Sequence, residues 1–537
     1  MFAICSKHVF LDQRHPDVAA ALLVEGDRIR AVCAPGELDA LAPGVDVRDY
    51  GEAFVCPGFH DAHQHVFHAA LFPSSAACEY RGTSERDMVG HMLEFAKTRP
   101  GHGWLLGHGW RESLWIPAVA PTRQSLDVAF PQRPVALYSG DAHTLWVNSA
   151  GLRELGIDER TEPPAGGSFD RDESGSLTGV LREAAGMFYV ARVLRSFPAD
   201  EMRSIYRSYF SRLNAMGVTG VCDMALSLVT GADGINPEVY EGLLEAGELS
   251  VRAHLFPTLS EDESMLEGLQ GRLTGPLLRA PGFKQFFDGV SSQHTAWVTD
   301  EYENPRFPGD CGRATVDPRR MRSLVLEAAS RGHAVRIHTI GDEAVHQALD
   351  IFEEADARYG RPSQGANTLE HVEDIHPDDV ARLATAHVVA SVQPPHVTID
   401  ASQPARDLGE WRARRMWPFD QMLGQGVTLA FGTDAPVVAP TSLDVLWCAI
   451  ERSTPDAHEP AAGWYPEHRI SRAQAIAAYT QGSAAAVGRE HELGRLAPGM
   501  LADVCVWDQN LMTVESERLQ RSQALATYVG GSLVWEA

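Results

Sequence analysis

The residues best suited to chemistry near the start of the chain are Pro57-Gly58-Phe59-His60-Asp61-Ala62-His63-Gln64-His65. In an extended strand alternate side chains share a face, so His63 and His65 project the same way, with Asp61 two residues earlier on that face. Two imidazoles at that spacing can hold one divalent ion. The plain alternative is a pair of packed histidines, since a chain with 22 His contains such pairs by chance. The Pro-Gly turn before the strand and the nearby Asp61 favour the metal. Three further polar residues close apolar runs far downstream: His338, His371 within Leu369-Glu370-His371, and Asp434. One such residue alone is more often a satisfied core histidine or a helix cap. Three together point to one centre, because a barrel of alternating strands and helices gathers its chemistry at the carboxyl ends of its strands.

The spacing is an independent check. His338 and His371 are 33 residues apart, about one βα unit, and His371 and Asp434 are 63 apart, about two, given roughly 250 residues for eight units. If His63 and His65 end strand 1, then His338, His371 and Asp434 fall on strands 5, 6 and 8. A strand-4 residue is then expected roughly 30 to 55 residues before His338, where Phe283-Lys284-Gln285-Phe286-Phe287-Asp288-Gly289 lies. As an ammonium, Lys284 would repel a cation; carboxylated by CO₂ it becomes an anionic bridging ligand. Its other reading is an ion pair with Asp288 or Asp223. From His65 to Lys284 there are 219 residues, whereas three units need only about 90, so a large insertion is expected after strand 1.

The elements that must position these groups follow from the hydropathy pattern. Apolar runs over 20–24 and 29–33 around Glu25-Gly26-Asp27 read as a hairpin. The C-terminus offers a turn at 494–499, a strand at 502–507 and a closing hairpin over 524–529 and 532–535. Neither end can build a core alone, so residues 1–56 and 490–537 are expected to form one composite β-sandwich domain. Between them, residues 57–489 alternate strands and helices. Examples are a strand over 335–340, a helix over 343–355 capped by Asp342, strands over 368–372, 388–392 and 427–434, and a helix over 377–386. This α/β pattern suggests a (β/α)₈ TIM barrel, and a doubly wound open sheet fits the alternation as well. Residues 71–185, rich in Trp, Gly, His and Pro, interrupt the rhythm as an inserted subdomain.

Composition narrows the function. With 44% hydrophobic and 22% charged residues among 537, the chain can bury a large core and is not dominantly disordered. A net charge of -26 disfavours a nucleic-acid partner, which needs clustered positive charge. No window approaches the roughly 20 apolar residues that span a bilayer, and the N-terminus has no apolar leader run, so neither a membrane partner nor secretion is expected. Eight scattered cysteines without CxxC read as reduced thiols of a cytoplasmic protein.

Taken together, Pro57 through His65, Lys284 with Asp288-Gly289, His338-Thr339-Ile340-Gly341-Asp342, Glu370-His371, Ser391-Val392-Gln393-Pro394 and Gly432-Thr433-Asp434-Ala435-Pro436 resemble the YtcJ-like (amidohydrolase 3) branch of the amidohydrolase superfamily, which includes N-substituted formamide deformylases. The resemblance covers nearly the whole chain, including Gly140-Asp141-Ala142-His143 and residues 494–503. His60 departs from it, standing where the family usually carries an apolar residue. The resemblance implies a (β/α)₈ barrel with a composite β-sandwich. It also implies a divalent metal, usually zinc, as one or two ions held by His63, His65, Lys284, His338 and His371. Asp434 would be both ligand and general base.

The implied reaction is hydrolysis of a C–N bond in a small amide or formamide, and a homodimer is compatible with it. His143 is a candidate hydrogen-bond donor or substrate clamp. Trp110, Trp115, Trp297, Tyr302 and Trp417 are candidates for an aromatic pocket lining, which would suit an apolar or aromatic N-acyl or N-formyl substrate. The competing readings are a heterocycle deaminase with a single zinc and a glutamate acid, a carbamate or ester hydrolase, and a non-catalytic ligand-binding descendant of the fold. Lys284 counts against the deaminase, and the complete ligand set counts against the descendant.

Overall fold

A computed structural model describes residues 1–140, 144–164, 167–227, 234–400 and 402–537. It divides into two compact units, one of residues 1–65, 210–224 and 244–537 and the other of residues 66–209 and 225–243.

The first unit contains eight parallel strands that carry the predicted site: β1 (Phe59–Gln64), β2 (Val218–Met224), β3 (Arg252–Phe256), β4 (Gly282–Phe286), β5 (Ala334–Thr339), β6 (Thr368–His371), β7 (Val389–Val392) and β8 (Leu429–Phe431). Nearly every residue in them is buried, as expected of parallel strands covered on both faces. β1 to β3 form one sheet, with Leu278–Arg279 at its edge, and β4 to β8 form another. Hydrogen bonds cross both seams. Lys284 N–H donates to Pro257 O and Leu259 N–H to Lys284 O, each at 2.8 Å, while Asp434 N–H donates to His63 O at 2.7 Å and His65 N–H to Ala435 O at 2.9 Å. The last strand thus returns to the first. Gly58 permits the start of β1 to lie against β2, since a Cβ there would fall 2.2 Å from the Thr219 side chain.

The two chain ends share one eight-stranded sheet. Its order runs Ser532–Glu536, Ala524–Val529, Val504–Trp507, Phe54–Pro57, Phe2–Val9, Val18–Glu25 and Arg28–Cys33, with Asp46–Asp49 paired to Phe2–Val9. Ile4, Leu22, Val55, Val504 and Tyr528 share its apolar core. Phe54–Pro57 continues directly into β1, so this sheet sets where the first metal-competent strand begins.

The second unit is built on a six-stranded sheet in the order Gly167–Arg171, Leu177–Glu183, Thr144–Val147, Val135–Ser139, Leu105–Trp110 and Ala77–Glu79. It extends beyond the expected insertion at 71–185. Its core includes Met88, Met92, Leu105, Trp110, Trp115, Leu126 and Trp146. No helix among the described residues is long and apolar enough to cross a membrane.

Two local expectations change. Gly341, not Asp342, is the N-cap of helix Asp342–Tyr359; Asp342 Oδ1 instead accepts from the N–H groups of Thr299 and Glu343. The strand expected over 427–434 spans only Leu429–Phe431, and Asp434 has a left-handed backbone, φ 59°.

Candidate metal centre

His63 and His65 lie at the end of β1. His338 lies on β5, His371 ends β6, and Asp434 lies three residues beyond β8. All are buried. The ring centroids are 5.3 Å apart for His63 and His65, 5.0 Å for His63 and His371, and 4.4 Å for His338 and His371. Asp434 Oδ1 lies 3.4 Å from His63 Nε2 and 3.1 Å from His65 Nε2. These five groups therefore converge. His371 and Asp434 both have positive φ, 74° and 59°, backbone states of the kind that a functional site holds at some cost in strain.

The second nitrogen of each ring decides what the first can do. His63 Nδ1 is 2.6 Å from Glu370 Oε2, His65 Nδ1 is 2.9 Å from Met224 O, and His371 Nδ1 is 2.7 Å from Gln393 Oε1. Each partner is an acceptor, so Nδ1 carries the proton and Nε2 presents a lone pair inward. His338 is reversed: its Nε2–H donates to Gly289 O at 3.2 Å, leaving Nδ1 as the ligand atom. Burial, and then the Lys284 charge, hold His63 well below the ordinary imidazole range and His338 at about 3. His63 and His338 are thus neutral ligands. Burial alone would raise the Asp434 carboxyl, but His63 and His65 outweigh it and hold it below the ordinary carboxylate range.

Lys284, on β4, is fully buried, and its Nζ has no hydrogen-bond partner among the described residues. Burial lowers its amine to about 8. The alternative ion pair with Asp288 does not form. The Asp288 carboxylate instead accepts from the N–H groups of Ile340, Gly341 and Trp297 at 3.0, 2.8 and 3.0 Å.

Most of the aromatic residues are buried. Trp110 ends a strand of the second unit and donates its indole N–H to Leu137 O, and Trp115 donates to Arg81 O; both lie in that unit's core. Tyr302 is buried, donates to Ala296 O and stacks on His294. Each of these three rings is packed, with its polar tip on a backbone acceptor that lets the ring be buried. Trp297 stays half-buried beside Asp288. Trp417 is buried and shares a backbone hydrogen bond with Glu373. His143 lies outside the described residues.

The structure adds groups that the sequence reading passed over. Glu370 bridges His63 and Arg336, and Gln393 orients His371. His396 has Nδ1 3.4 Å from Glu373 Oε1 and Nε2 3.8 Å from Asp434 Oδ2. Glu373 and Asp434 together outweigh the effect of burial and raise its imidazole above the ordinary value. A signal for it was present: His396 follows β7 by four residues, the same side of the strands on which the other site residues lie.

The donor set fits a divalent ion. Among the described residues His63, His65 and Asp434 form one close group of ligand atoms, and His371, His396 and Asp434 another. Two ligands each about 2.0–2.1 Å from a tetrahedral zinc lie about 3.3 Å apart, which matches the 3.1 and 3.4 Å separations from Asp434.

Residues 46–535 match the model of the Amidohydrolase family, Amidohydro_3. Protein LONG AFTER FAR-RED 3 of Arabidopsis thaliana is 32% identical over 490 residues, covering 90% of this chain and 82% of its own length. The N-substituted formamide deformylase of Arthrobacter pascens is 27% identical over 545 residues, covering 96% of this chain and 95% of its own. Among solved structures, an uncharacterized metal-dependent hydrolase from Pyrococcus horikoshii superposes with a TM-score of 0.76 at 22% identity, covering 96% of this chain and 99% of that one. With the match spanning nearly its full length, the chain belongs to the amidohydrolase family.

Proposed function

We propose that this chain is a metal-dependent hydrolase that cleaves a carbon–nitrogen bond of amide or formamide type, not a peptide bond, in a small apolar or aromatic N-acyl substrate. The eight parallel strands are then a (β/α)₈ barrel, the two chain ends a composite β-sandwich, and residues 66–209 of the second unit an insertion after β1. One observation supports the metal most: His63 Nε2 and His65 Nε2 face Asp434 Oδ1 at 3.4 and 3.1 Å while both ring protons are committed to Glu370 and Met224 O. Lone pairs so close in a buried site need a positive charge among them.

Zinc suits this set of imidazole and carboxylate donors, and when bound such an ion supplies Lewis acidity toward a water and the substrate carbonyl. Lys284, without a hydrogen-bond partner among the described residues and shifted toward its neutral amine, is the residue to take up CO₂: its nitrogen bonds to carbon, a proton leaves, and an anionic carbamate results. Asp434 accepts a proton from the attacking water and returns it to the leaving nitrogen, acting as general base and then acid. Glu370 and Gln393 hold their imidazoles in the productive tautomer. The formamide class is drawn from the deformylase relative. The eight unpaired cysteines support a cytoplasmic location.

The test combines metal analysis of the purified protein with hydrolysis of a panel of formamides, amides, carbamates and lactones. At least one ion per chain and turnover of an amide or formamide are expected, with Asp434→Asn losing about 10²- to 10⁴-fold in kcat while keeping most of its metal. Turnover confined to lactones, or near wild-type turnover in the variant, would overturn the reading.

A further inference from the structure

We propose that the second unit carries a binding site for a small carboxylate with a flat apolar body, in the cavity between Arg99, Trp104, Arg133, Phe197, Pro198 and Glu201. All of these residues belong to that unit, and none is a candidate ligand of the metal centre. The cavity holds about 280 Å³, just under the roughly 300–1,000 Å³ of pockets that take small molecules, so its ligand must be small. Its apolar walls are set by packing. Trp104 and Phe197 are 8% and 9% exposed. Helix Ser149–Leu155 braces the indole, because a Cβ at Gly151 would fall 3.1 Å from it. Rings held in this way offer fixed, flat surfaces to a flat apolar ligand body.

Arg133 supplies an independent pointer. The side chain is half-buried, and its Nε donates to Gly103 O at 2.8 Å and its Nη1 to Arg99 O at 2.6 Å. These two carbonyls orient the guanidinium but bring only partial charge. No carboxylate among the described residues pairs with it, and the neighbouring charge is a like one: burial first, and Arg99 next, lower its guanidinium below the ordinary value. Arg99 is itself matched, pairing with Glu201 while lying 6.0 Å over the Phe197 ring. Asp200, next to Glu201, is turned to Arg203. Two guanidinium groups thus share the one carboxylate of the cavity, which leaves a surplus of one positive charge for a monoanion to cancel. Partly withdrawn from water, Arg133 gains from a charge-assisted hydrogen bond, and the planar fork of a guanidinium matches the two oxygens of a carboxylate. The apolar walls then select a carboxylate that carries a flat ring over a bare inorganic anion.

Isothermal titration of the full-length wild-type protein with benzoate should show a saturable site that neither benzyl alcohol nor inorganic phosphate fills, the first lacking the charge and the second the apolar body. Arg133→Met keeps an apolar stem and removes the charge. It should weaken benzoate binding about 10- to 100-fold, the usual effect of losing a hydrogen bond to a charged group, and leave turnover of the amide panel unchanged. Benzoate can also reach the metal centre through its carboxylate, and the variant separates the two: undiminished affinity in Arg133→Met would assign the ligand to that centre and overturn this site. Absence of benzoate binding, or equal binding of benzyl alcohol or phosphate, would overturn it as well. Should the variant fail to fold, a wild-type crystal soaked in 4-bromobenzoate decides: a bromine anomalous peak between Trp104 and Arg133 supports the site, and a peak only elsewhere, or none, overturns it.

Discussion

Glu370 is buried between His63 and Arg336, with one oxygen on each. Replacing it with Gln removes the charge from both contacts. The loss at His63 should cost about 10- to 100-fold in metal affinity or activity, the usual effect of removing a group that orients a ligand. The loss at Arg336 leaves a buried cation unpaired and should cost about 3–5 kcal/mol. Metal retained after dialysis and urea unfolding separate the two effects, and full metal retention would show that Glu370 does not orient His63. Asp374 illustrates the opposite electrostatics. Its carboxyl oxygens are buried without a side-chain hydrogen-bond partner among the described residues, and burial, with Asp342 next, raises its carboxyl from 3.8 to about 7. A carboxyl raised in the folded state opposes folding once the unfolded chain ionises, so wild-type stability is lost as pH rises between those values. Asp374→Asn cannot ionise. Its Tm should equal or exceed that of wild type, by a margin that opens between pH 3.8 and about 7 and then stays constant; parallel curves across that window would refute the assignment.

At the scale of elements, β8 and the turn after it matter most. Asp61, which the alternation rule placed on the metal-binding face, instead ties β1 to this turn: its carboxylate accepts from Thr433 N–H at 3.0 Å, Thr433 Oγ1–H at 2.8 Å and Gln64 Nε2–H at 2.7 Å. Gly432 lies so close to β1 that a Cβ would fall 2.6 Å from the His63 backbone nitrogen. Gly432→Ala must therefore push the turn carrying Asp434 away from the imidazoles. We expect a loss of about 1–3 kcal/mol in urea unfolding together with at least a tenfold fall in kcat; a stable variant with full turnover would show that the strands can separate without disturbing the site. Strands and helices themselves were legible. The helices Asp342–Tyr359 and Pro377–Thr385 and strands β5, β6 and β7 lie where the apolar periodicity placed them. β8 ends before the apolar run does, because Gly432-Thr433-Asp434 carries that run into a turn whose shape is set by Asp61, more than 370 residues away.

At the scale of the whole molecule, segments distant in the chain are joined by buried charge. Arg252, at the start of β3, pairs with Asp503 at 2.6 and 2.7 Å across 251 positions, and Asp503 also accepts from Gly530 N–H. Asp503→Ala leaves Arg252 buried without its carboxylate and should cost about 3–5 kcal/mol, read as a lower urea midpoint; an unchanged midpoint would mean that water reaches Arg252. By itself the sequence determined the kind and order of the parts. Apolar runs of strand length and their spacing assigned Lys284, His338, His371 and Asp434 to β4, β5, β6 and the end of β8, because burial patterns and unit lengths are local properties of the chain. Only the tertiary structure decided which nitrogen of each histidine is available, that Lys284 Nζ has no hydrogen-bond partner among the described residues, that Trp110 and Trp115 serve a core, and that His60, Cys222 and His254 meet. Each of these depends on which neighbour a side chain finds across a strand register set between segments far apart, and no local pattern encodes that meeting.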